Sequence, residues 1–155
     1  MAHKATSKSA PRLKPEDGRN CTGLNLRKAT RAVTQYYDAA LQPSGLKSTQ
    51  FSLLSVVETQ GPIVMGGLAE VLVMDRTTLT RNLKPLEAQG LIRIEPGKDR
   101  RARIVSLTAK GRKVVMTARP LWRQAQTEIV GRLGETRWRG LLHDLRATIA
   151  AVPEV

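Results

Sequence analysis

Residues 68–91, LAEVLVMDRTTLTRNLKPLEAQGL, followed by residues 92–111, IRIEPGKDRRARIVSLTAKG, decide the fold of this chain. Leu68, Ala69 and Leu72 fit the inner face of a short helix over 64–72, and the small Ala69 lets a second helix cross closely. Val73-Met74 makes the turn. Asp75 suits an N-cap whose carboxylate accepts from the backbone N–H of Thr77 or Thr78. Beyond it, Leu79, Leu83 and Leu86 recur at spacings of four and three and must face a core. Arg76, Thr77, Thr78, Thr80 and Arg81 lie mostly off that stripe. Arg can pair bidentately with guanine, and Thr can meet a thymine methyl or a phosphate. Such a face taken alone is equally a solvated one, and the hairpin C-terminal to it shifts the balance toward a groove. Pro85 predicts a kink or loosening near the carbonyl of Arg81, and Gln89-Gly90 closes the helix. Two β-branched runs, 91–95 and 102–107, then flank a tip carrying Lys98, Asp99, Arg100 and Arg101. A helix-turn-helix followed by a basic hairpin is a winged helix, and arginine at such a tip is drawn to a narrow minor groove. Asp99 can hold a neighbouring guanidinium in place.

The charge agrees with that reading. Among 155 residues, Lys and Arg number 26 against 13 acids, a formal net charge of +13 with a computed pI of 10.9. From Arg76 to Lys113 there are 11 basic residues against 3 acidic ones, whereas Cys21 to Asp75 carries 4 of each. The excess is a footprint on one segment, and it points to a polyanion, nucleic acid before membrane. No apolar run approaches the ~20 residues needed to cross a bilayer. The start of the sequence lacks the apolar stretch of a secretory signal, and a single cysteine excludes an intramolecular disulfide. The expectation is a cytoplasmic, nucleoid-associated protein with no membrane partner. His3 and His143 have no partners at metal-ligand or triad spacing, and no phosphate-cradling Gly loop occurs. An enzyme, a metal site or a cofactor is not expected.

Working outward, Leu46–Gln60 reads as a helix that buries Phe51, Leu53, Leu54, Val56 and Val57. A first wing strand has room for only a residue or two near Ile63. Asn20–Leu41 shows helical spacing through Leu26, Ala29, Val33, Tyr36, Tyr37, Ala40 and Leu41, ended by Gln42-Pro43-Ser44-Gly45. Toward the C-terminus, Thr108 caps a long helix to about Val130, with Val115, Trp122 and Ile129 at sevens and Val114, Ala118, Leu121 and Ala125 beside them. Gly131 and Gly134 are expected to interrupt it. A last helix, Glu135 to about Val152, presents Trp138, Leu141, Leu142, Leu145 and Ile149. These apolar residues exceed what one thin winged helix needs and suggest dimerisation, with two heads on successive turns of one duplex face. The expected fold class is mainly α with a small β-wing (α+β). Residues 46–113 form the DNA-binding unit, 20–45 and 114–155 the dimerisation helices, and 1–19 a flexible basic arm.

In this order and spacing, Gln50, Phe51 and Leu54; Leu68 and Ala69; Asp75, Thr78 and Thr80-Arg81; Leu86-Glu87 with Gly90-Leu91; Asp99-Arg100-Arg101; and Leu107-Thr108 with Gly111 resemble the MarR family of transcriptional regulators. The resemblance covers about Leu46 to Leu145. It implies a winged-helix homodimer that binds operator DNA, usually as a repressor, and answers a small molecule or an oxidant near the junction of its dimerisation and DNA-binding parts. Within the family, the positions of Arg76, Thr78, Thr80 and Arg81 approach the major groove, and those of Asp99 and Arg101 serve the minor groove. One departure is at the second helix, where Lys47 stands in place of the family's capping Thr, leaving Ser48 or Thr49 to cap.

The signal is read less directly. Cys21 opens the first helix, where a thiol can gain reactivity toward peroxide. Organic-hydroperoxide sensors of this family carry a cysteine near here, but anchored on Gln50 their position falls at Gly23, and no tyrosine adjoins Thr49-Gln50. An inert cysteine is the competing reading. The resemblance also allows a small aromatic or amphipathic effector, with Arg27, Arg31, Tyr36 and Tyr37 either lining a pocket or making dimer contacts. By class, the rival to a specific regulator is a sequence-tolerant, chromatin-like nucleic-acid binder, which the charge alone supports equally.

Overall fold

The computed structural model describes residues 13–99 and 102–152. Helix α1 (Thr22–Leu41) follows a 3-10 turn at Gly18–Asn20, and a second such turn, Gln42–Ser44, leads to α2 (Ser48–Gln60). Then come β1 (Ile63–Val64), α3 (Met65–Leu72), α4 (Arg76–Ala88), β2 (Ile92–Pro96), β3 (Arg103–Leu107), α5 (Ala109–Leu133) and α6 (Glu135–Ala151). The strands form one antiparallel sheet in the order β1-β3-β2, with Ile63 opposite Val105 and Ile92 opposite Leu107. This is a mainly helical winged helix with a three-stranded wing. The described chain divides into two compact units between Gln35 and Tyr36.

The core of the second unit follows the sequence periods. Leu79, Leu83 and Leu86 are fully buried together with Leu41, Leu54, Leu68, Val57, Val105 and Val115. Leu72 and Val56 pack against this core only half-buried. Helix α4 ends as the Gln89-Gly90 signal requires. Gly90 adopts φ 68°, its N–H donates to the Glu87 carbonyl at 2.8 Å, and Leu91 N–H reaches the Leu86 carbonyl at 2.9 Å. That pair of bonds is a Schellman closure, and Leu86 and Leu91, its usual apolar contact, are both buried.

Several boundaries differ from expectation. The first helix begins at Thr22 rather than Asn20, and the second at Ser48 because Gly45, at φ 74°, turns the chain before it. Residue 64 belongs to the wing: Val64 pairs with Ile104, so α3 starts at Met65. Gly131 does not interrupt α5; only Gly134, at φ 80°, ends it. Helix α4 runs unbroken across Pro85, and Gln89 N–H donates to the Pro85 carbonyl at 3.1 Å, so the last turn closes beyond the proline. Pro85 deletes one donor near the helix end and leaves the remaining ladder in place. Of the arm read over 1–19, residues 1–12 lie outside the described residues; Asp17 accepts from Arg19 N–H at 2.9 Å and pairs with its guanidinium.

Candidate nucleic-acid interface

Helices α3 and α4 are joined through Val73, whose backbone lies in the left-handed region at φ 51°, ψ 48°. Its N–H closes α3 on the Glu70 carbonyl at 3.1 Å, and Met74 N–H bonds the Ala69 carbonyl at 2.9 Å. Asp75 then caps α4: one carboxylate oxygen accepts from Thr78 N–H at 2.8 Å and the other from the Thr78 hydroxyl at 2.6 Å. These bonds hold the Asp75 carboxyl below its ordinary range. The N-terminal turns of α4 are thereby fixed with Arg76, Thr77, Thr80 and Arg81 exposed and Thr78 half-buried. Their donors are not equally available. Thr78 gives its proton to Asp75, and Thr80 gives its own to the Arg76 carbonyl at 2.7 Å. Those two residues offer outward a methyl and an acceptor. Arg76, Thr77 and Arg81 keep side-chain donors for a groove.

At the wing, Ala102 N–H donates to the Asp99 carbonyl and Gly97 N–H to the Ala102 carbonyl, both at 2.9 Å, which narrows the hairpin to its tip. Lys98 and Asp99 are exposed there, and Asp99 is not without a partner. Arg100 and Arg101 lie outside the described residues. One further cation escaped the sequence reading. Along β3, Val105 and Leu107 face the core, and strand alternation sets Arg103 on that same face, beyond the core's edge. Arg103 lines a cleft of about 270 Å³ with Arg76, Thr80, Met65 and Gly66. The period-two pattern of 103–107 carried that signal.

Residues 44–102 match the family model described as the MarR family. Over 89 residues the chain is 34% identical to the transcriptional regulator HosA of Escherichia coli O127:H6, an alignment covering 57% of this chain and 66% of that relative. It is 31% identical over 88 residues to the HTH-type transcriptional regulator YwoH of Bacillus subtilis, covering 57% and 64%. The chain thus spans a little under two thirds of the length of these curated relatives. Among solved structures, the M. tuberculosis transcriptional regulator MosR in complex with DNA superposes with a TM-score of 0.73 at 38% identity, covering 85% of this chain and 99% of that one. The chain belongs to the MarR family.

The rest of this MarR chain holds the other residues singled out from sequence. The Tyr36 hydroxyl bonds Glu128, which raises the tyrosine's pKa, and the Arg132 guanidinium lies 5.9 Å from the ring centroid. The Tyr37 hydroxyl donates to Gln126, and burial raises its pKa. Tyr36 borders a small hollow of about 250 Å³ between α1 and α5. Arg27 and Arg31 are exposed on α1, and Cys21 is an exposed free thiol just before it.

A larger groove, about 640 Å³, runs between α2 and α5 and is lined by none of those residues. Its walls include Phe51 and Trp122, with ring centroids 5.9 Å apart, and an ion pair of Arg119 with Glu58. Ser55, also in its lining, has a buried hydroxyl without a hydrogen-bond partner among the described residues. Sequence reasoning assigned Phe51 and Trp122 to the core and gave Arg119 and Glu58 no role. Helix α6 buries no residue fully: Leu141 and Ile149 are 45% and 58% exposed, and Trp138, Leu142 and Leu145 half-buried. His143 is exposed on the same helix. Among the described residues no three His, Cys, Asp or Glu side chains cluster to hold a metal ion, and no helix is long and apolar enough to cross a membrane.

Proposed function

We propose that this chain is a transcriptional regulator that binds double-stranded DNA in the cytoplasm, on the nucleoid. It acts as a repressor, and as a homodimer it reads a near-palindromic operator. The observation that carries the reading is the division of α4. Leu79, Leu83 and Leu86 are fully buried, while Arg76, Thr77 and Arg81 stand exposed on capped N-terminal turns. Lys98, Asp99, Arg100 and Arg101 at the wing tip serve the adjacent minor groove, and Thr78 and Thr80 contribute methyl contacts. The concentration of basic residues between Arg76 and Lys113 supports the same partner. So does the likeness to regulators, one of them solved with DNA.

Selection from a random duplex library tests this directly. A specific regulator prefers one near-palindromic site by ~10³-fold or more over random DNA at physiological salt, whereas a chromatin-like binder shows little preference. The groove between α2 and α5 supports a ligand as the signal: an aromatic carboxylate would exchange with Glu58 on Arg119 and lay its ring against Phe51 and Trp122. Benzoate-type acids are expected to raise the melting temperature and release the selected DNA, and Arg119→Gln to abolish both effects. Hydroperoxide treatment of wild type and Cys21→Ser tests the oxidant alternative; DNA release in the wild type that is lost in the variant would favour it.

A further inference from the structure

The cleft containing Arg103 lies where the start of the recognition helix meets the return strand of the wing. Its position comes from register. Val64 is paired with Ile104 at the end of the β1–β3 ladder, so Arg103 stands just past the ladder, at the first turn of α3. Strand alternation turns it to the helix side of the sheet, the side of Val105 and Leu107, and away from Arg93 and Glu95 on the outer face. Two guanidinium-bearing residues, Arg76 and Arg103, therefore line one cleft. Among the described residues no carboxylate lines it with them, and neither arginine forms an ion pair. Gly66 contributes no side chain, and a Cβ built there would meet nothing within 4 Å, so the cleft stays open down to the backbone. Like charges converging on an open, acid-free cleft call for an anion between them.

The cleft lies between the two parts that would enter adjacent grooves, α4 and the wing tip. What separates adjacent grooves of a duplex is a sugar-phosphate strand. We propose that this cleft seats one backbone phosphate of the bound duplex. Arg103 and Arg76 are its cations, and the Thr80 side chain, whose proton is already given to the Arg76 carbonyl, is a wall rather than a donor. The proposal rests on the DNA-binding reading and sharpens it. Arg76 becomes a positioning contact, leaving Thr77 and Arg81 as the side chains on the N-terminal turns of α4 that are free to donate to bases.

The test uses the full chain and a fluorescein-labelled 30-base-pair duplex of random sequence, titrated from 50 to 200 mM KCl, with the library-selected duplex alongside. Arg103→Gln is expected to weaken binding by about 5-fold per protomer at 150 mM salt and to make the slope of log K against log[KCl] shallower by about one per protomer. The loss is equal on random and selected DNA, because a phosphate carries no sequence. Gly66→Leu, which fills the cleft without altering charge, reproduces the loss. Arg93→Gln removes the same formal charge from the outer face and serves as the control. A loss for Arg103→Gln no larger than for Arg93→Gln overturns the seat, as does a loss confined to the selected sequence, which would make Arg103 a base reader. Wild-type protein that binds neither duplex at any salt instead overturns the DNA-binding reading itself. Circular dichroism and melting temperature confirm that each variant is folded.

Discussion

The carboxylate of Asp38, on α1, accepts a hydrogen bond from the backbone N–H of Ser48 at 2.7 Å. Lys47 occupies the N-cap position of α2 but has no acceptor to offer. Half of a capping box survives, with Gln50 accepting from Lys47 N–H at 2.9 Å, and Asp38, from the preceding helix, satisfies a different free donor of the first turn, the Ser48 N–H. The bonds to Ser48, aided by the Lys47 ammonium at 3.8 Å, hold the Asp38 carboxyl below its ordinary range. Asp38→Ala is expected to destabilise the fold by about 1 kcal/mol, a drop of about 2–4 °C in melting temperature. Asp38→Asn should retain most of the stability; equal melting of all three proteins would remove the cap from the account.

Asp75 gives a pH signature. Thr78, through its hydroxyl and its backbone N–H, depresses the Asp75 carboxyl below its ordinary value of 3.8. A depressed carboxylate contributes stability that is fully present above the unfolded-chain value and is lost as pH falls through the folded one. Asp75→Asn keeps a capping acceptor but does not titrate there. In urea titrations, the stability gap between wild type and this variant should hold steady from neutral pH to about 5 and shrink below about 4. A gap that ignores pH across that window would deny the carboxylate its role.

Val73 is a β-branched residue held at φ 51° with 69% of its surface exposed. The left-handed conformation costs such a residue roughly 1–2 kcal/mol, while little burial is at stake. Val73→Asn, which tolerates this region, is expected to stabilise the protein by about 1 kcal/mol. DNA affinity should be unchanged or modestly improved, because the turn geometry is preserved. A variant that melts lower than wild type would show that Val73 makes contacts outweighing its strain.

Gly111 lies where α5 starts against the beginning of β2. A Cβ there would sit 2.0 Å from the Leu91 carbonyl oxygen and 3.1 Å from Leu107 Cδ2. The same carbonyl accepts from Thr108 N–H at 3.1 Å, so it has little freedom to move. Gly111→Ala is expected to cost about 3 kcal/mol or more, since backbone rather than a flexible side chain must yield. Chemical denaturation measures it, and a loss under about 1 kcal/mol would mean that α5 shifts away without penalty.

The features legible in the sequence are those set by local rules. The leucine stripe of α4, the Asp75 cap, the Gly90 stop and the alternation of 103–107 each act within a few residues, and each appears in the structure. What stayed hidden depends on partners distant in sequence. Asp38 capping α2 needs a turn to fold back, and Phe51 meets Trp122 only after α5 has packed on α2. The cleft beside Arg103 likewise needs β1 paired to β3. Charge density singled out one segment but could not tell Thr77, with a donor to spare, from Thr78 and Thr80, whose hydroxyls are already used.

The apolar stripe of α6 offers the last test. Leu141 and Ile149 are exposed in the single chain, while Trp138, Leu142 and Leu145 are half-buried and no residue of the helix is fully buried. An amphipathic helix of this kind ordinarily buries its stripe, and in the proposed homodimer a second copy would cover it. The double variant Leu141→Asp, Ile149→Asp would then place carboxylates in the interface. An uncompensated buried charge costs about 3–5 kcal/mol, enough to raise the dimer dissociation constant by at least about a hundred-fold. Sedimentation velocity at low micromolar concentration should find dimer for the wild type and monomer for the variant. Circular dichroism should show helix content retained, because neither side chain supports the core of its own chain. The monomer should bind a half-site as the wild type does but lose the steep affinity for the full near-palindrome. A variant that stays dimeric would remove α6 from the interface and leave its stripe to another partner.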